Sequence, residues 1–152
     1  MSKSGTFQTS GSEGVTQTSG TFTPTIAFGG LSVGLTYGLQ YGRYVKTGLS
    51  VDIMIQVGLT AKGSSTGVVS IGGLPFLASN ESPAKWISVY VYNATYTSTT
   101  FTTLAGQIGA NSMTLANIWQ MPDTDTIRVA MTNSNFSDTT TIIVSGTYWS
   151  AT

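Results

Sequence analysis

The sequence predicts an all-β protein: an antiparallel β-sandwich, with a jelly roll as the leading topology, carrying an extended N-terminal arm. Three observations lead there. Apolar residues recur with a period of two from residue 21 onward, glycine pairs and other turn formers punctuate these runs, and no window has an apolar face at the helical period. The 152 residues suffice for one hydrophobic core and are too few for two. An arm at 1–20 and one sandwich domain at 21–152 therefore account for the chain.

Taken in order, residues 1–20 are mostly Ser, Thr, Gly and Gln, and Ser4-Gly5-Thr6-Phe7 recurs as Ser19-Gly20-Thr21-Phe22. Such a composition reads as a flexible arm that orders only when a partner tethers it. Strands at 23–28 and 33–37 flank Gly29-Gly30, and a strand at 43–46 ends at Thr47-Gly48. The clearest element is 49–60, where Leu49, Val51, Ile53, Ile55, Val57 and Leu59 are all aliphatic and only Met54 of the intervening residues is strongly apolar. That is a half-buried antiparallel strand. A turn at Lys62-Gly63-Ser64-Ser65 leads to a strand at 67–71, which stops at Gly72-Gly73. The segment 86–92 places Trp86, Ser88, Tyr90 and Tyr92 on one face and Ile87, Val89 and Val91 on the other, so it is either central or at an interface. Further strands are expected at 100–104, 113–119, 126–132 and 140–149.

Composition removes several kinds of chemistry. With no His there is no imidazole base and no Ser-His-Asp triad; with no Cys there is no thiolate nucleophile and no disulfide. Six Lys and Arg balance six Asp and Glu and are scattered along the chain, which argues against nucleic acid as a partner. Short apolar runs argue against a membrane span, and the opening MSKSGTFQTSGSEG lacks the apolar core of a secretory leader. No metal, cofactor or enzymatic activity is expected. Ser and Thr together make up 45 residues (19 and 26), so the surface should be dense in hydroxyls and poor in the charge that keeps molecules apart.

Few constellations carry chemistry. Asp123 and Asp125 are the closest pair of carboxylates; they are either cation ligands or, more simply, a Pro122-led turn entering a strand. Glu13 and Glu81 are poor candidates for the second carboxylate of a glycosidase. Trp86, Tyr90, Tyr92, Tyr96, Trp119, Tyr148 and Trp149 are core, interface or ligand platforms, and the group Tyr90-Tyr92-Tyr96 is the candidate exposed aromatic binding face. The sequons at Asn80, Asn93 and Asn135 are expected by chance in so hydroxyl-rich a chain.

Several segments together suggest a family. Gly20-Thr-Phe-Thr-Pro-Thr-Ile-Ala-Phe-Gly-Gly, Gly34-Leu-Thr-Tyr, Tyr41-Gly-Arg-Tyr-Val-Lys-Thr-Gly, Thr60-Ala-Lys-Gly-Ser-Ser-Thr-Gly, Ile71-Gly-Gly-Leu-Pro-Phe and Ile143-Val-Ser-Gly-Thr-Tyr resemble a β-sandwich domain of tailed-phage virion proteins, at the C-terminal ends of tail fibres and tailspikes, and are similar also to capsid decoration (cement) proteins. The resemblance implies a homotrimeric jelly-roll-like domain on the virion surface. Only about 20 residues precede the sandwich, with no heptads or repeat shaft, a departure from fibre architecture. The expectation is therefore a trimeric decoration protein, fastened to the major capsid protein by its arm with Phe7 and Phe22 as anchors. Phe22 has a second reading, as the start of the first strand packed within its own sandwich. The alternative function is a short tail-fibre or tail-tip protein that recognises a host glycan.

Overall fold

The computed structural model describes residues 14–80, 85–96, 101–122 and 127–152. Ten strands form the molecule: β1 (Gln17–Phe22), β2 (Thr25–Phe28), β3 (Thr36–Thr47), β4 (Ser50–Ala61), β5 (Val69–Gly72), β6 (Lys85–Tyr92), β7 (Phe101–Ile108), β8 (Leu115–Pro122), β9 (Val129–Ala130) and β10 (Thr141–Trp149). Every pairing between them is antiparallel. They join in the order β1-β3-β4-β10-β6-β7-β8-β5-β2, with β9 beside β8. Only Thr23 and Pro24 separate β1 from β2, yet these strands end opposite edges of the path. The sheet must therefore curl until its edges meet.

The period of two decides which face lines the interior. On β4, Val51, Ile53, Ile55, Val57 and Leu59 point in, where they join Ile142 and Val144 of β10 and Ile87, Val89 and Val91 of β6. Ile26, Phe28, Val69, Ile71, Leu115 and Ile118 line the other side of the same core. Burying one such aliphatic side chain contributes roughly 1.5–3 kcal/mol, so this shared interior is the main force closing the curl. Room is made by small residues: a Cβ at Gly146 of β10 would lie 2.8 Å from Ile87 Cγ2.

Two tyrosines finish the closure with polar contacts. The Tyr37 hydroxyl of β3 accepts from Ile26 N–H (2.8 Å) and donates to Ile26 C=O (3.3 Å), and Gln40 Nε2 donates to Pro24 C=O (2.9 Å). Side chains of β3 thus satisfy the outward backbone edge of β2 across the seam, a place where unpaired groups would otherwise invite another strand. Elsewhere, Tyr148 is completely buried, and its hydroxyl donates to Phe76 C=O (2.9 Å) and accepts from Phe76 N–H (3.2 Å). This pins the 73–80 loop beneath the core, with Leu74 and Ala78 turned inward.

Three local expectations differ from the structure. Residues 17–20, assigned to the arm on composition, belong to β1 and pair with β3 from Gln17↔Thr47 to Phe22↔Gly42. Neighbouring backbone, not apolar content, orders them. The expected strands at 33–37 and 43–46 are parts of a turn and of one long β3, which bends at a bulge between Tyr37 and Leu39. The strand expected at 126–132 is reduced to β9 and a bridge at Thr132, followed by a 3-10 turn at Asn133–Asn135.

Candidate functional site

The register assembles an outer surface that no single strand reveals. Across β3, β4, β10 and β6, one row reads Leu39-Gly58-Thr141-Tyr92, the next Tyr41-Gln56-Ile143-Tyr90, and the next Arg43-Met54-Ser145-Ser88. All lie on the face opposite the core. Leu39, Tyr41, Met54, Tyr90 and Tyr92 are exposed, and Arg43 is the one charged residue among the twelve. At strand spacings of about 4.8 Å and same-face repeats of about 6.8 Å, the block covers roughly 400 Å². Below it, Arg43, Val45, Asp52 and Met54 border a shallow depression of ≈ 260 Å³, and the Thr147 hydroxyl donates to Asp52.

The structure divides the expected aromatic group. Tyr90 (57% exposed) and Tyr92 stand side by side on the outer face of β6, their ring centroids 4.4 Å apart and tilted by 57°. Tyr96 does not share that exposure. It is partly buried against the core, its hydroxyl donating to Val91 C=O, and burial first, then the neighbouring Tyr90, raises its pKa. Phe22 sits on β1 over Gly42, where an added Cβ would come within 2.7 Å of the ring, and packs against this molecule's own core. It is the last residue of the first strand rather than its start. Phe7, Glu13, Glu81, Asp123 and Asp125 lie outside the described residues. The acidic residue beyond that pair, Asp138, accepts from Lys62 N–H and braces a turn. Asn135 is buried and donates to Thr95 C=O, so its sequon is inward-facing.

A second cluster was not singled out from the sequence. Arg128, just before β9, lies with its guanidinium carbon 4.5 Å from the Trp119 ring centroid and 5.2 Å from that of Trp86. Trp119 reaches it through a bulge. Three residues of β7 (Gly106 to Ile108) oppose four of β8 (Leu115 to Ile118), and Asn117 takes a left-handed conformation with φ 72°. The extra residue reverses the alternation: Leu115 points in, then Ile118 and Gln120, so Trp119 turns out. Its indole nitrogen is shielded from solvent and has no hydrogen-bond partner among the described residues. The sequence signal was an Asn interrupting an apolar strand, a residue type that tolerates the left-handed region.

With these faces in place, the fold can be compared with solved structures. The chain superposes on part of the crystal structure of the Dettilon tailspike protein (gp208) with a TM-score of 0.69 and 22% identity, covering 87% of this chain and 23% of that one. The shared fold is that of a tailspike segment. It accords with the resemblance to tailed-phage virion β-domains drawn from the Gly20–Gly30 and Tyr41–Gly48 segments. This tailspike-like fold spans under a quarter of the protein it matches, and at this identity the likeness is one of architecture. No protein-family model matches the sequence, and no curated protein is similar to it in sequence.

Proposed function

We propose that this protein is a structural component of a tailed-phage virion that assembles as a homotrimer through the outer face of β3, β4, β10 and β6. The observation carrying this reading is that face itself: three rows across four strands with a single charge and five exposed large apolar side chains. Its area is that of the largest patch on a typical monomer, which is often functional. A second copy of the same hydroxyl-rich surface is a fitting partner because each side brings only one charge, Arg43, to desolvate. The tailspike-like fold supports a place on the particle surface.

Two placements are consistent with such an assembly. As a capsid decoration protein, it would be fastened to the major capsid protein through the segment before β1, where three linked arms make each further contact effectively intramolecular. As a tail protein, it would present its aromatic side chains to a host glycan. The likeness to part of a tailspike favours the tail. Copy number in purified particles, by quantitative mass spectrometry against the major capsid protein, decides between them. A few copies per particle are expected for the tail; a ratio near that of the capsid protein would assign it to the head.

A further inference from the structure

We propose that Trp86, Arg128 and Trp119 form a binding site for a carboxylate-bearing saccharide, on a part of the surface distinct from the outer apolar block. Trp86 lies four residues before Tyr90 on the same face of β6, a separation of roughly 13 Å along a strand. The site therefore occupies the β6-β7-β8-β9 side of the sheet, beyond the rows assigned to assembly.

The guanidinium determines the charge of the ligand. Both described contacts of Arg128 are with indole rings, and among the described residues no carboxylate pairs with it. Ring contacts hold the guanidinium, and among the described residues no hydrogen bond occupies its N–H donors. That fork matches the two oxygens of a carboxylate. An exposed Arg already held in place loses less side-chain freedom on pairing than one free in solvent.

The surroundings determine the rest of the ligand. Trp86 is 45% exposed, which leaves much of its indole for an apolar C–H surface such as one side of a pyranose ring. The described outer positions beside the cluster and outside the assembly rows are Thr103, Ala105, Gln107 and Met121, so among the described residues the rim offers a hydroxyl, an amide and apolar groups and no second charge. One cation, an aromatic shelf and neutral polar rim groups suit a ligand with one carboxylate and several hydroxyls. The fold also bears a cost for this arrangement. Shielding the Trp119 N–H with no partner among the described residues is unfavourable, and the Asn117 bulge that turns Trp119 outward forgoes regular pairing. The same bulge that sets Ile118 in the core turns Trp119 towards Arg128.

The test uses the purified full chain, with trigalacturonate and sialyllactose as acidic probes and maltotriose and lactose as their neutral counterparts, followed by calorimetry and tryptophan fluorescence. Both acids should bind in the range of about 0.1–1 mM, with the neutral sugars at least tenfold weaker. Arg128→Gln should lose at least tenfold in affinity, Arg128→Lys should recover little because it lacks the fork, and Trp86→Ala should weaken binding. Leu31→Ala, an exposed position on the turn after β2, should leave binding unchanged, and circular dichroism should show every variant folded. Equal binding of acidic and neutral sugars, undiminished binding by Arg128→Gln, or no binding of either acid would overturn the proposal. Displacement of the acids by a poly-glutamate peptide of equal charge would overturn the saccharide assignment and point to an acidic protein partner. Because binding is read on the isolated protein, its failure leaves the copy-number result untouched.

Discussion

Replacing Tyr148 by Phe removes one oxygen atom from a completely buried aromatic side chain. The ring fits unchanged, so no cavity larger than a hydroxyl forms, but the donor to Phe76 C=O at 2.9 Å and the acceptor for Phe76 N–H at 3.2 Å are both lost. A net hydrogen bond contributes about 0.5–1.5 kcal/mol, and the stranded backbone groups add a desolvation cost. The sum is about 1–3 kcal/mol, or a fall in Tm of roughly 3–10 °C for a chain of this size. A second readout separates this effect from loose packing. Burial pushes the Tyr148 hydroxyl up to about 12, against the smaller, lowering effect of the Phe76 backbone. In the unfolded chain the group titrates near 10. A folded pKa above the unfolded one means that its stabilisation is complete below about pH 10 and is lost as pH rises from there through about 12. Urea unfolding of wild type and Tyr148→Phe at a series of pH values from 8 to about 11.5 should therefore show a gap that is constant at first and then narrows. A gap that stays constant to the highest pH, or a Tm change below about 1 °C, would refute the anchoring role of this hydroxyl.

Four further outcomes can be checked. Tyr37→Phe should cost about 1–2 kcal/mol and speed hydrogen exchange at the Ile26 amide while leaving β4 protected; unchanged exchange at Ile26 would mean the seam closes without this hydroxyl. Gly146→Ala forces a methyl against Ile87 and should destabilise by about 1–3 kcal/mol in thermal melts. Met54→Glu places a charge in the middle of the outer block and should dissociate the trimer in sedimentation runs with the fold retained; a trimer that persists would sink the proposed interface. Deleting residues 1–13 should leave Tm within about 1 °C of wild type while abolishing attachment to particles if the arm fastens the protein; a deletion through Gly20 would also remove most of β1 and could not separate attachment from stability.

Much of the fold was legible because half-buried strands announce themselves through alternation. Val51 to Leu59 and Ile87 to Val91 required only the rule that one face meets the core. β3 was less legible, because Gly38 and Gly42 resemble turn residues in sequence. In the structure Gly42 is a packing site for the Phe22 ring, and the strand runs straight past it. The arm boundary was misplaced for a related reason: β1 is held by backbone pairing, which composition does not record. The outer block depends on register between strands far apart in the chain, so Met54 and Tyr90 are identifiable one at a time but not as neighbours in adjacent rows. Arg128 was the hardest to find. Its role depends on a one-residue slip at Asn117, which reverses every later side chain of β8 and brings Trp119 out.

The place of β10 also has a consequence for biosynthesis. This strand comes last of the ten in the chain, yet it is laid down between β4 and β6, pairing with both along Thr141–Ser145. Until it leaves the ribosome, β4 and β6 have no connecting partner and the inward rows of Ile55, Val57, Val89 and Val91 remain open to solvent. Shorter products of translation would lack the central stave and expose two sticky edges instead of none. Closure of this sheet thus waits for β10, and only chains that reach Trp149 can close the core.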